Sequence, residues 1–256
     1  MTLDPTTPEG REIQETLVKT ADVVLVNMPE RARKGLGLDY PTLKSIKPDI
    51  ILTTATAFGT TGPMATKVGF DTVAQAMSGA MYLSGTANSA MRSYYPWVDY
   101  GTATLCALGT MAAIMSRKET GKGQHVQCSL LATALTNANS TLIEQALAQP
   151  DRVATGNRGQ INAPSDCFKT KDGEIVCIAI GEIMHKRWAD LMGEENWLTD
   201  PRFKDDAARA EHGEIISKRM QAWCAERTTE QSLAELEAAR LPAATCLLYT
   251  SPSPRA

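Results

Sequence analysis

Hydrophobic and polar positions alternate along the first third in a strand–helix–strand rhythm. Residues 8–19 carry apolar positions at helical spacing, with Thr7 placed to cap the helix, Pro8 at its first position and Glu9 in its first turn. The apolar run at 22–26 then reads as a short buried strand. A second helix is expected at 40–46, ended by Pro48, and a second strand at 50–55. This order at this spacing predicts a parallel sheet with crossover helices. The glycine-containing loop 58–63 follows the second strand, at the carboxyl end where open α/β sheets collect ligands.

Further along, 70–79 is helical in pattern, with turns at Gly79 and Gly85. The aromatic and β-branched stretch 94–98 reads as extended, and Asp99 precedes a long apolar helix over about 102–117 that ends at Gly121. Residues 124–131 alternate like a strand that leads into a helix over 132–148. The segment 149–166 is rich in Gly, Asn, Arg and Pro and reads as an interdomain loop. Beyond it a strand at 173–180, a helix through Trp188 and amphipathic helices near 211–225 and 229–239 make a smaller second domain.

Composition narrows the class. With 43% hydrophobic and 21% charged residues, the chain of 256 residues has the make-up of an ordinary globular protein. A net charge of −3 and the lack of basic-aromatic clusters argue against nucleic acid as a partner. The longest nearly apolar run, 105–115, falls short of the ~20 residues of a membrane span. The start is polar, without a signal-peptide pattern. Six scattered cysteines, with no Cys-x-x-Cys pair, disfavour a disulfide framework or a metal site and suit a cytoplasmic location. Cys106, Cys128, Cys167 and Cys177 are all expected to be small buried apolar groups.

Asp99 is the acid that position singles out. Two readings stand side by side: a cap or first-turn acid that satisfies free helix N–H groups, or a nucleophilic carboxylate with those same N–H groups free to hold an oxyanion. The surrounding text adds to this. Thr-Pro-Glu-Gly-Arg-Glu-Ile at 7–13, Ala-Asp-Val-Val-Leu-Val-Asn at 21–27 and Lys-Gly-Leu-Gly-Leu-Asp-Tyr at 34–40 come in sequence. Phe-Gly-Thr-Thr-Gly-Pro at 58–63, Gly-Phe-Asp-Thr-Val-Ala-Gln at 69–75 and Thr-Gly-Lys-Gly-Gln at 120–124 follow in the same order. The chain thereby resembles the class III coenzyme A transferase family, which also contains α-methylacyl-CoA racemases, over residues 3 to about 245.

The resemblance implies an α/β fold: a Rossmann-like large domain with a parallel sheet (incomplete here) plus a smaller α+β domain, in members that form interlocked ring dimers. It divides the chain into 1–150, part of the CoA-binding and catalytic domain; 151–166, a linker loop; and 167–245, the small domain. It further implies that Asp99 is the catalytic aspartate of an acyl-CoA:carboxylate CoA-transferase, working through mixed-anhydride and aspartyl-CoA thioester intermediates. Acyl-CoA and a carboxylic acid would be the partners, the CoA thioester being substrate and no cofactor being held permanently. Asn27 and Met28 fall beside the CoA moiety, with Arg33, Lys34 and Lys67 as candidate partners for its phosphates or else as solvated surface charges. Gly156-Asn157-Arg158-Gly159-Gln160 is either the counterpart of the family's closing loop or a plain linker. Phe70 stands where the racemases carry the histidine that moves the α-proton, so transfer is expected over racemisation, and His125 is expected to be structural.

Two expectations concern the ends. The resemblance implies that the chain lacks a leading strand–helix–strand segment and a closing C-terminal segment, so that activity belongs to a longer parent and a catalytically inactive fragment is the alternative. Residues 246–256 change composition abruptly and resemble an in-frame translation of a sequencing adaptor, a non-native tail; a natural Ser/Pro-rich tail is the other reading.

Overall fold

The computed structural model describes residues 2–247; most of the adaptor-like segment, 248–256, lies outside the described residues. The chain divides into two compact units, Met1–Ala154 and Thr155–Ala256, a division that falls inside the predicted loop 149–166.

The first unit runs α1 (Pro8–Thr20), β1 (Val23–Val26), α2 (Glu30–Gly35), α3 (Tyr40–Ile46), β2 (Ile51–Thr56), α4 (Asp71–Met77), α5 (Ala80–Leu83), α6 (Trp97–Thr120), β3 (His125–Ser129), α7 (Leu130–Asn137) and α8 (Asn139–Ala148). Its three strands are parallel in the order β1-β2-β3, with Val24 beside Leu52 and Thr54 beside Gln127. One face is covered by α1 and α3, where Val18, Leu43, Ile50 and Leu52 form a core. The other face carries α6. Thr110 meets Thr53 through their hydroxyls at 2.6 Å, and a Cβ on Gly109 would stand 2.7 Å from Val126 Cγ1. At 24 residues α6 is long and apolar enough to cross a membrane by length and composition, because the helix extends well beyond the apolar run 105–115; one face of it nonetheless lies on β2 and β3. Leu25 on β1 is 68% exposed at the outer edge of the sheet.

Capping explains several boundaries. Thr7 Oγ1 accepts the Gly10 N–H at 3.1 Å, and the Asp39 carboxylate accepts that of Thr42, so α1 and α3 begin where local chemistry dictates. The expected helix over 132–148 is instead two helices broken at Ala138, within a run of Thr, Asn and Ser that favours helix poorly. The predicted extended stretch 94–98 is also corrected: α6 starts at Trp97.

His125 packs as a structural residue. Its ring stacks on Tyr40 with centroids 5.6 Å apart, and Nε2 lies 3.0 Å from Thr54 Oγ1. Burial, helped by the nearby Arg33 charge, holds its pKa below the ordinary histidine value.

The second unit contains β4 (Ser165–Lys169), β5 (Glu174–Ile178), α9 (Gly181–Met192), α10 (Asp206–Glu211), α11 (Gly213–Ala225), α12 (Thr229–Ala238) and β6 (Ala243–Thr245). The strands form an antiparallel sheet, β4-β5-β6. Trp188, Phe168, Ile175, Ile216, Met220 and Leu236 fill its core. The 156–160 segment is a turn, closed by Thr155 Oγ1 donating to the Arg158 carbonyl and by the Gly159 N–H donating to Ser165 O.

Candidate active site

A cavity of about 850 Å³ opens at the carboxyl end of β1 and β2 and follows α6. Among the described residues Asp99 is the only charged side chain on its wall, which also includes Asn27, Met28, Phe70, Thr102 and Cys106. Strands and helix assemble it simply. β1 delivers Asn27 and Met28 just past its last residue, and α6 places Asp99, Thr102, Cys106 and Thr110 at three- and four-residue steps on one face. The Thr102 hydroxyl donates to Thr133 Oγ1 at 2.8 Å, tying the cavity wall to α7.

Asp99 lies in the first turn of α6, not ahead of it. The residue preceding the helix is Pro96, which has no side-chain acceptor to offer. Asp71, from the start of α4, supplies the cap: its Oδ2 accepts the N–H groups of Val98 at 2.9 Å and Asp99 at 3.1 Å. The Trp97 N–H donates to Tyr95 O, and that of Tyr100 to Pro96 O. The N–H groups at the helix start are therefore occupied, which removes the oxyanion role expected of them.

That arrangement leaves the Asp99 side chain uncommitted and accessible. Partial desolvation by the cavity wall, with the Asp71 charge as a second cause, raises its pKa above the usual aspartate value. Its exposure keeps this effect modest.

Among the sequence candidates, the fold brings Asp99, Asn27 and Met28 to one cavity. Arg33, Lys34 and Lys67 do not line it. Arg33 is buried at 2% exposure, with its Nε unpartnered; Lys34 is exposed and pairs with Glu30 at 2.7 Å; Lys67 is exposed in the segment between β2 and α4. Phe70 stands at the cavity wall, 79% exposed. Cys106 and Cys177 are buried as expected, whereas Cys128 and Cys167 are only half-buried because their short strands lie at sheet edges. Burial pushes the Cys106 thiol up to about 12, so it stays protonated and is no rival nucleophile. Asp71 and Gln75 lie in the run 69–75 noted in the sequence, but their contact with the start of α6 was missed. The signal available was Pro96, a helix start without its own cap.

Known proteins resemble this chain in sequence and fold. The chain is 31% identical over 245 residues to the succinyl-CoA–D-citramalate CoA-transferase of Chloroflexus aurantiacus, covering 95% of this chain and 61% of that protein. It is 31% identical over 235 residues to an acyl-CoA transferase of Fusarium pseudograminearum, covering 91% of this chain and 52% of the relative. The chain thus spans between half and two thirds of the length of these curated relatives. The crystal structure of a CaiB/BaiF family protein from Brucella suis superposes with a TM-score of 0.81 at 27% identity, over 97% of this chain and 66% of that one. The sequence profile of CoA-transferase family III matches residues 1–251, and the chain belongs to that family.

Proposed function

We propose that the protein is, or is the greater part of, an acyl-CoA:carboxylate CoA-transferase in which Asp99 carries the acyl group and then the CoA. The observation that carries this reading is an accessible carboxylate at the cavity wall whose own helix N–H groups are satisfied by another acid. A capping aspartate would be held by those N–H groups; Asp99 is free to attack.

The chemistry balances without an external energy source. The Asp99 carboxylate adds to the thioester carbonyl, and the C–S bond breaks to give a mixed anhydride and CoA thiolate. The thiolate attacks the Asp99 carbonyl, which releases the acyl group as its carboxylate and leaves an aspartyl-CoA thioester. An incoming carboxylate attacks that thioester, and the returning CoA thiolate completes the new acyl-CoA and regenerates Asp99. A carboxylate of raised pKa is the better nucleophile in the first step. Asn27 and Met28 flank the CoA moiety, and the exposed Lys34 and Lys67 are its candidate phosphate partners. Arg33 would have to leave its buried position to join them. CoA enters as substrate with no permanent cofactor, the working form is a homodimer, and the setting is the cytoplasm.

The names of related proteins support the substrate class: acetyl-CoA and oxalate for the Acetobacter aceti relative, succinyl-CoA and glutarate for the Agrobacterium fabrum one. A racemase reaction is disfavoured by Phe70, whose ring has no proton to exchange. The test is transfer of CoA from succinyl-CoA or acetyl-CoA to a panel of mono- and dicarboxylic acids. Asp99→Ala is expected to lower turnover by roughly a thousandfold or more; equal turnover in that variant would exclude the covalent route.

A further inference from the structure

The Asp71 carboxylate is 6% exposed and has no cationic partner among the described residues. Burying a carboxylate is costly unless hydrogen bonds compensate, and here three do. Oδ2 takes the Val98 and Asp99 N–H groups, and Oδ1 takes the Gln75 side-chain amide. Gln75, itself 2% exposed, is fixed in turn by accepting the Ser93 N–H at 3.0 Å on Oε1. Val98, one of the two backbone donors, is fully buried. The chain Ser93–Gln75–Asp71 thus ends on the backbone of the residue that bears the cavity carboxylate. A cap needed only for stability could be supplied by Ser, Asn or Asp immediately ahead of the helix. This sequence has Pro96 there and brings a buried charge from 28 residues away.

We propose that Asp71 is the positioning residue of the Asp99 nucleophile, holding the first turn of α6 by the Val98 and Asp99 amides so that the Asp99 side chain faces the thioester unencumbered. This rests on the transferase reading for its chemical meaning, but the physical link stands apart from turnover. Asp71 also does a second thing: it lies behind the cavity wall, and its charge is the one that acts on Asp99 there. Its negative charge works against ionisation of Asp99 and so keeps the carboxylate basic.

Carboxyl and amide NMR titration of the protein, alongside Asp71→Asn, reads this directly. In the unmodified protein the amide protons of Val98 and Asp99 are expected to shift together with the Asp71 carboxyl. In Asp71→Asn the Asp99 titration moves down toward the ordinary aspartate range. With succinyl-CoA or acetyl-CoA, the same variant labels Asp99 roughly tenfold more slowly, while the KM for acyl-CoA stays within about twofold. Amide shifts that follow Asp99 alone, or an Asp99 titration unchanged by Asp71→Asn, would overturn the inference whether or not any adduct forms. If neither the unmodified protein nor the variant acquires a label while the titrations behave as expected, the covalent transferase reading fails and the positioning link survives. The amide readout needs no variant, so it holds even if Asp71→Asn folds poorly.

Discussion

A carboxylate that is to attack a thioester must be reachable, ionised and unoccupied, and these demands set the stability of Asp99 against its use. Its pKa is raised in the folded chain, so folding favours the protonated form. The sign follows: between the ordinary aspartate value and the raised one the native state binds more protons than the unfolded state, and stability falls as pH rises through that window. Above the window Asp99 is ionised at the expense of stability. Asp99→Asn is therefore expected to raise Tm modestly at pH 7, with the gain absent below about pH 3, where aspartate is protonated in both states. Differential scanning fluorimetry at the two pH values decides it; a lower Tm at pH 7 would mean that Asp99 is held by favourable partners after all. Cys106, on the same helix face, tests the cavity's dryness: its thiol, pushed up to about 12, should resist iodoacetamide at neutral pH until the protein is unfolded. Rapid labelling of the native protein would contradict the burial assigned to it.

At the scale of elements, two opposing effects meet at Gly109. Alanine there gains roughly 1 kcal/mol of helix propensity, but its Cβ would fall 2.7 Å from the stiff β-branched Val126, an overpacking of about 1–3 kcal/mol. Gly109→Ala is expected to lower stability in urea unfolding; a gain would show that α6 can lift off β3 cheaply. At α12 the capping box is complete, Thr228 Oγ1 accepting the Gln231 N–H and Gln231 Oε1 accepting that of Thr228, so Thr228→Ala should cost about 1 kcal/mol. A midpoint unchanged by that variant would assign the cap no net role.

Elements with such local signals were legible in the sequence. The end of α3 follows from Pro48, and the start of α1 from Thr7 and Pro8. What could not be read was settled at a distance. The start of α6 at Trp97 depends on Asp71, and β6 is a three-residue strand that forms only because β5 offers it an edge. α2 spans six residues without a side-chain cap, too little pattern to announce itself. The same distinction divides the site: Asp99, Asn27 and Met28 were legible as candidates, whereas Asp71 and Gln75, although inside the quoted run 69–75, show their contact with the start of α6 only in the tertiary structure.

For the molecule as a whole, each unit carries its own core, Leu43, Ile50 and Leu52 in the first and Trp188, Ile216 and Met220 in the second. Ile216 is fully buried, and Ile216→Ala should lower the stability of the second unit by about 2–5 kcal/mol, read by fluorescence of Trp188 and Trp223 beside it. The candidate chemistry sits entirely within the first unit. The central claim is that Asp99 there becomes covalently loaded. Intact-mass and peptide analysis after brief incubation with acyl-CoA measures it: the account predicts a hydroxylamine-sensitive adduct on the peptide bearing Asp99, absent in Asp99→Ala. An unmodified Asp99 peptide, or a label that persists in Asp99→Ala, would contradict it.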